Sequence, residues 1–421
     1  MRNNRSLHSQ KSTSPDWRMR PLLAAAAILL SAGIPVAQAT EISLTEQPVA
    51  PARDYNIRLF ENLRLQFTGS VEGLYDDNVD TRPNNEEESF ALVPRLTMAI
   101  DWPITPRIHI GSGVSVGYYY YFNDEVDDTF VVGFDDEVGT NMNVDFFLGN
   151  GTLRLSERFS REISVLQVNT DNDYALSRNY LSAKYDVAVN PYIKLSVMGA
   201  RRDTWTNRDL YEYQDNAEHS LDAVALWQTN PQLQLGPYVR WDNTDYDLAT
   251  NNDRQTYATG ASFVYQPRGG VRFQGSLGYE LMDVDVSNPG ARDEEDGWVG
   301  NLSCRFATSE YLSHYLGIRY DRDQDLVETT VNYSEETEYE YAVEWDVHTD
   351  VTINGDLAFL TIDEPAGGED ADIWRLGLGT SYQLNRKSKV SLRYDWRDRD
   401  SSVPAQSYER NRYSVKLTHR F

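Results

Sequence analysis

The sequence predicts an all-β fold: a transmembrane antiparallel up-and-down β-barrel of about 18 strands, preceded by a cleaved signal peptide. Three observations carry that expectation. Apolar residues recur with a period of two along most of the chain, the repeat of a strand whose two faces meet different surroundings. The breaks between these runs alternate between short turns and longer acidic loops, as in barrels with short periplasmic turns and long extracellular loops. The chain also ends on an alternating segment closing in Phe421, with Tyr413 on the same face.

The first element is a targeting segment. Residues 1–20 carry Arg2, Arg5, Lys11, Arg18 and Arg20 against Asp16, and the apolar run 21–37 leads into Ala37-Gln38-Ala39. A basic stretch, an apolar stretch and small residues at the cut describe a secretory signal peptide. Residues 1–39 are therefore expected to be removed, 40–61 to form a periplasmic N-terminal segment, and 62–421 to form the barrel. A membrane anchor is the other reading, opposed by the shortness of the run and by Pro21 and Pro35. No cysteine follows the run; the single Cys304 excludes a disulfide framework and a cysteine metal site.

Strands are predicted at 62–75, 91–101, 106–121, 141–155, 161–171, 178–189, 192–204, 217–228, 232–244, 255–266, 271–284, 297–307, 311–322, 335–347, 351–362, 371–384, 388–398 and 409–421. Sixteen is the next count, because the breaks within 141–177 are the weakest. In the last strand Tyr413, Val415, Leu417, His419 and Phe421 oppose Arg412, Ser414, Lys416, Thr418 and Arg420. In 271–284, Val271, Phe273, Leu277, Tyr279 and Leu281 oppose Arg272, Gln274, Ser276 and Glu280. Short turns are read at 103–106, 190–191, 230–231, 267–270, 308–310, 348–350 and 385–388, and long loops at 76–89, 123–140, 245–254, 285–296, 363–370 and 399–407.

A soluble sandwich or propeller would also alternate. Against it stand aromatics at strand ends on the apolar faces, among them Tyr118, Trp227, Trp298, Trp345 and Trp374, which suit interfacial girdles. The opposite faces are rich in charge, as a wet lumen requires. The mean hydropathy of -0.58 excludes a bundle of transmembrane helices. The net charge of -26 argues against a nucleic-acid partner. With 27 Tyr and 9 Trp the chain does not read as disordered.

Tyr75-Asp76-Asp77-Asn78-Val79 after the first strand, Val93-Pro94-Arg95-Leu96 on the second and the tyrosine-rich run 117–122 on the third resemble the putative β-barrel porin-2 family. The resemblance implies an outer-membrane barrel of a Gram-negative bacterium. It also implies a channel or scaffold in exopolysaccharide export or assembly, with polysaccharide or export-complex proteins as partners. A general diffusion porin for small polar solutes is the alternative. A barrel enzyme is disfavoured, because no Ser/His/acid arrangement, H-E-x-x-H or G-x-S-x-G is legible.

Alternation points Arg64, Arg240, Arg272, Arg319, Arg375, Arg393, Arg397, Arg412, Lys416 and Arg420 into the lumen. Arginine offers fixed donors suited to carboxylates and sugar hydroxyls, so the set reads as a path for an anionic or hydroxyl-rich solute. The competing reading is a set of lumen salt bridges to acids such as Glu280 and Asp395. Glu338, Glu340, Glu344 and Asp346 line one face of the fourteenth strand, roughly 6.6–6.8 Å apart along it. They read as a solvated wall before they read as an acid/base pair. Because the last strands are basic and the fourteenth is acidic, the signs are expected to sit on separate sides, too far apart to neutralise one another. Tyr413, Val415, Leu417 and Phe421 resemble the terminal signal read by barrel-assembly machinery. Outer-membrane lipid and lipopolysaccharide are the expected surroundings. No cofactor is expected. The acidic runs 293–296 and 321–325 promise at most weak surface binding of Ca or Mg, since Leu326 and Asn332 break a calcium-loop pattern.

Overall fold

The computed structural model describes residues 57–59, 62–79, 81, 83, 86–123, 126, 128–133, 140–163, 175–206, 212, 215–248, 253–267, 270–285, 294–323, 334–364 and 369–421. The expected signal peptide lies outside them, as does most of 40–61. The strands in chain order are β1 (Ile57–Leu59), β2 (Leu63–Asp76), β3 (Ser89–Thr105), β4 (Ile108–Tyr121), β5 (Thr129–Val132), β6 (Thr140–Leu148), β7 (Gly151–Ile163), β8 (Ala175–Asn190), β9 (Ile193–Thr206) and β10 (Asn216–Asn230). There follow β11 (Leu233–Tyr246), β12 (Asp253–Tyr265), β13 (Arg272–Asp285), β14 (Glu294–Ser309), β15 (Leu312–Asp323), β16 (Ser334–His348), β17 (Val351–Asp363), β18 (Asp370–Asn385), β19 (Ser388–Ser401) and β20 (Tyr408–Arg420).

Each strand from β6 to β20 pairs antiparallel with the next, and β20 returns to β2 through Thr68↔Arg420 to Asp76↔Arg412. This closure removes the sheet edge that a membrane could not satisfy. The wall holds 18 strands, with β5 and β6 sharing one position: β4 pairs with β6 over 108–113 and with β5 over 116–119. β1 pairs only with the start of β2 and stands outside the ring.

The short turns have a common chemistry. Asn190, Asn230 and Asn385 each accept, through Oδ1, from the backbone N–H groups two and three residues on, at 2.8–3.1 Å. Thr105 and Ser309 accept from N–H groups two residues on in their own turns, at 3.1 and 3.2 Å. An Asn or hydroxyl side chain closes such a turn in place of a backbone acceptor.

The predicted strand 141–155 is misplaced: it is instead β6 and the start of β7, which meet across Leu148↔Gly151. Of the predicted strand 161–171, residues 161–163 end β7 and the rest lie outside the described residues. Gly149 takes φ +67 there, a value glycine adopts without steric cost. The signal lay in the phase: apolar residues fall on Val144, Phe146 and Leu148 before the turn and on Leu153 and Leu155 after it, so the parity flips.

The outer surface is an apolar band between aromatic girdles. Leu221, Val239, Leu277, Leu357, Leu392 and Val415 are exposed along its middle. Tyr118, Tyr257, Trp298 and Tyr413 flank it toward the long loops, and Tyr192, Trp227, Tyr311 and Trp345 toward the short turns. At the closing seam the upper girdle is continuous: ring centroids are 4.9 Å apart for Tyr394 and Tyr413, 6.2 Å for Tyr413 and Tyr75, and 4.7 Å for Tyr75 and Phe90.

Candidate functional site on the lumen wall

Cross-strand partners share a face, so pairing carries one known orientation around the ring. Leu277 is 60% exposed on the outer surface, which turns Arg272, Gln274 and Glu280 inward. Every residue proposed from the sequence as lumen-lining falls on the inner face by this reasoning. Tyr413, Val415, Leu417 and Phe421 fall on the outer face and are exposed there.

The expected separation of opposite charges is not what the structure shows. Glu338 on β16 takes Arg319 on one side, at 3.3 Å, and Arg375 on the other. Arg375 reaches it from β18 across Ala358, which leaves room between them. Arg393 likewise reaches over Gly377 to Asp356, at 3.0 Å, while also holding Asp395 at 2.6 Å. A Cβ at Gly377 would collide with both the Arg393 guanidinium and the Asp356 carboxylate. Pairs two strands apart need a small residue between them, a reach that the alternation of a single strand does not display.

Other expected residues are paired locally. Arg240 donates to Asp222 at 3.1 Å, and Arg64 lies 3.4 Å from Asp101. Glu340 accepts from the Tyr315 hydroxyl at 3.1 Å, and Asp346 from the Thr352 hydroxyl at 2.7 Å. Arg272 and Lys416 face inward on β13 and β20. Among the described residues Glu344 and Arg420 form no ion pair. Glu280 is buried with its Oε1 unpartnered rather than bridged.

Sequence reasoning missed the strongest cluster, which clasps the seam. Asp76 at the end of β2 accepts from Arg410 on β20 with both oxygens, and Arg412 lies 3.4 Å from it. Asp77 accepts from the Asn411 backbone N–H at 2.6 Å and its side-chain amide at 2.8 Å. Asn78, fully buried, donates to the Glu409 carbonyl at 2.8 Å. The Asp76-Asp77-Asn78 segment quoted for the family resemblance is thus a three-residue staple between the first and last wall strands. Arg95 of the second quoted segment pairs with Glu72 at 2.6 Å. The third puts Tyr119 and Tyr121 on the lumen face, packed against Leu74, Ala91, Val93 and Val131.

The wall is therefore uneven. On β18–β20 the inner face carries Arg375, Arg393, Arg397, Arg399, Arg410 and Arg412. On β10–β14, across the barrel, it carries a buried cluster of Val224, Leu226, Tyr238, Ala258 and Val299, with Met282 and Val284 beside it. Guanidinium groups in the first region can hold anions; the second buries apolar side chains against one another.

Residues 318–421, which include β16–β20 and so the arginine wall, match the family described as Putative beta-barrel porin 2. The chain is a porin-like outer-membrane β-barrel. Similar solved structures include OccK2 (OpdF) of Pseudomonas aeruginosa in complex with glucuronate, at 13% identity, covering 86% of this chain and 99% of that one, with a TM-score of 0.49. A BenF-like porin from Pseudomonas fluorescens Pf-5 is similar at 11% identity, 85% and 99% coverage and a TM-score of 0.47. A loop L8 deletion mutant of OmpT from Vibrio cholerae is similar at 10% identity, 86% and 100% coverage and a TM-score of 0.40. At these identities the likeness is one of fold. No curated protein matches by sequence.

Proposed function

We propose that this barrel is a channel for anionic or hydroxyl-rich solutes, serving exopolysaccharide export or assembly. The observation that carries the reading is the gathering of inward arginines on three adjacent strands, β18–β20. A surface lined by one sign of charge between low-dielectric walls raises the local concentration of its counter-ion. The link to exopolysaccharide rests on the family resemblance, since fold alone does not give function. In this reading the protein works without catalysis or cofactor. Its acidic loops bind Ca or Mg weakly at most. Its outer face meets lipid and lipopolysaccharide, and its terminal Phe421 is read by the assembly machinery.

Planar-bilayer conductance of the refolded barrel, with and without an acidic polysaccharide, tests the proposal. Current that the polymer blocks supports it. Current indifferent to the polymer identifies a general diffusion porin, and absence of current removes the channel.

A further inference from the structure

Arg375, Arg397 and Arg410 stand level on β18, β19 and β20, joined by the pairings Arg375↔Arg397 and Arg397↔Arg410. Like charges directly opposite one another destabilise a sheet, so such a row needs acids. The outer two have them: Glu338 takes Arg375 and Asp76 takes Arg410. The middle one does not. Asp395, its neighbour on the same face, is held by Arg393 at 2.6 Å, and Glu369 is held by Arg399 at 2.7 Å. Among the described residues no carboxylate pairs with Arg397, and its Nε has no hydrogen-bond partner. Its surroundings are Arg375, Arg399, Arg410 and the ring of Tyr408, whose centroid lies 5.6 Å from the guanidinium carbon.

Tyr408 supplies a second, independent sign. The residue is 5% exposed, and its hydroxyl is buried with no hydrogen-bond partner. A buried hydroxyl left unmatched keeps its desolvation cost with no bond to offset it. An unpaired guanidinium and an unpaired hydroxyl therefore sit side by side, each lacking what a hydroxylated carboxylate provides.

We propose that Arg397 and Tyr408 form a binding site for a sugar carboxylate, a uronic acid unit, with Arg375 and Arg410 flanking it. The carboxylate takes the guanidinium fork, whose planar donors match its two oxygens. A ring hydroxyl takes Tyr408 Oη. The inference deepens the proposed function by naming the solute's chemistry, but the site does not require an open pore.

The test is isothermal titration calorimetry on the full mature barrel folded in detergent, at fixed ionic strength, with galacturonate, tri-galacturonate and galactose. Galacturonate is expected to bind and galactose not to. Tighter binding of the trimer marks a polymer-borne unit, and equal binding a free sugar acid. Arg397→Gln should weaken galacturonate by about tenfold or more, the weight of a charge-assisted hydrogen bond. Tyr408→Phe should weaken it by a smaller factor, and Arg154→Gln, at the short-turn end, should leave it unchanged. Unaltered binding in Arg397→Gln, or none in the wild type, overturns the proposal. Should Arg397→Gln not fold, Arg397→Lys and Tyr408→Phe carry the decision. Binding without conductance removes the channel and keeps the site; conductance without Arg397-dependent binding does the reverse.

Discussion

The closing wall and the wall opposite it are built from the same strand geometry but hold together differently. Along β18–β20 and into β2, many inner side chains are long and charged, and most of them but Arg397 are satisfied laterally, Arg375 and Arg393 from two strands away. Along β10–β14 inward charges such as Arg240, Asp222 and Glu280 stand beside apolar side chains that pack on one another, with Met282 and Val284 almost fully buried. The seam joins residues at opposite ends of the chain, such as Asp76 and Arg410, so its specificity must come from directional contacts. The far wall joins strands that are consecutive in sequence, and local pairing suffices. Register at the seam is therefore written in charge, and at the far wall in the pairing of consecutive strands.

The largest effect is expected at the chain end. The Phe421 N–H donates across the seam to the Phe67 carbonyl at 3.0 Å, and its ring lies against Gly69. If Phe421 is the assembly signal proposed above, deleting it should lower outer-membrane levels far more than its lost area implies. Equal levels of truncated and full-length chains, by immunoblot of membrane fractions, would remove the seam from its special place.

Asp76→Ala comes next. It strands Arg410, buried and doubly bonded to that carboxylate, and removing one partner of a buried pair costs about 3–5 kcal/mol. The comparable change on the far wall, Asp222→Ala, leaves a more exposed Arg240 and should cost clearly less. Urea unfolding of both variants in the same lipid would show it; similar losses would erase the contrast between the walls.

On the far wall the sharpest comparison is between faces. Leu277→Arg puts a charge toward lipid and should cost about 2–4 kcal/mol at the midplane, whereas Gln274→Arg faces the lumen and should cost little. Equal costs would mean that β13 is out of register by one residue. Gly377→Val should have the smallest effect, loosening the Arg393–Asp356 pair that crosses it, seen as a modest loss in the same unfolding assay.

Much of this was legible in the sequence because strands of 13–17 residues repeat a two-residue code many times over. Three short turns announced themselves through Asn-Pro or Asn-x-Lys openings that close on their own side chains. The turn at 149–150 did not, since it relies on Gly149 and lacks such an opening. The lumen was the hard part. Alternation assigns a face but not its wetness, so the apolar cluster around Val224 and Tyr238 was invisible. Pairs such as Arg375 with Glu338 depend on register and on the smallness of Ala358, neither of which a single strand displays.

The central claim is that the arginines of the closing wall set the electrostatics of an open lumen. Reversal potentials of single barrels in a salt gradient test it most directly, comparing wild type with Arg393, Arg397 and Arg412 changed together to Gln. The account predicts a shift of selectivity toward cations, greatest at low salt, where the screening length is long. An unchanged reversal potential would contradict it.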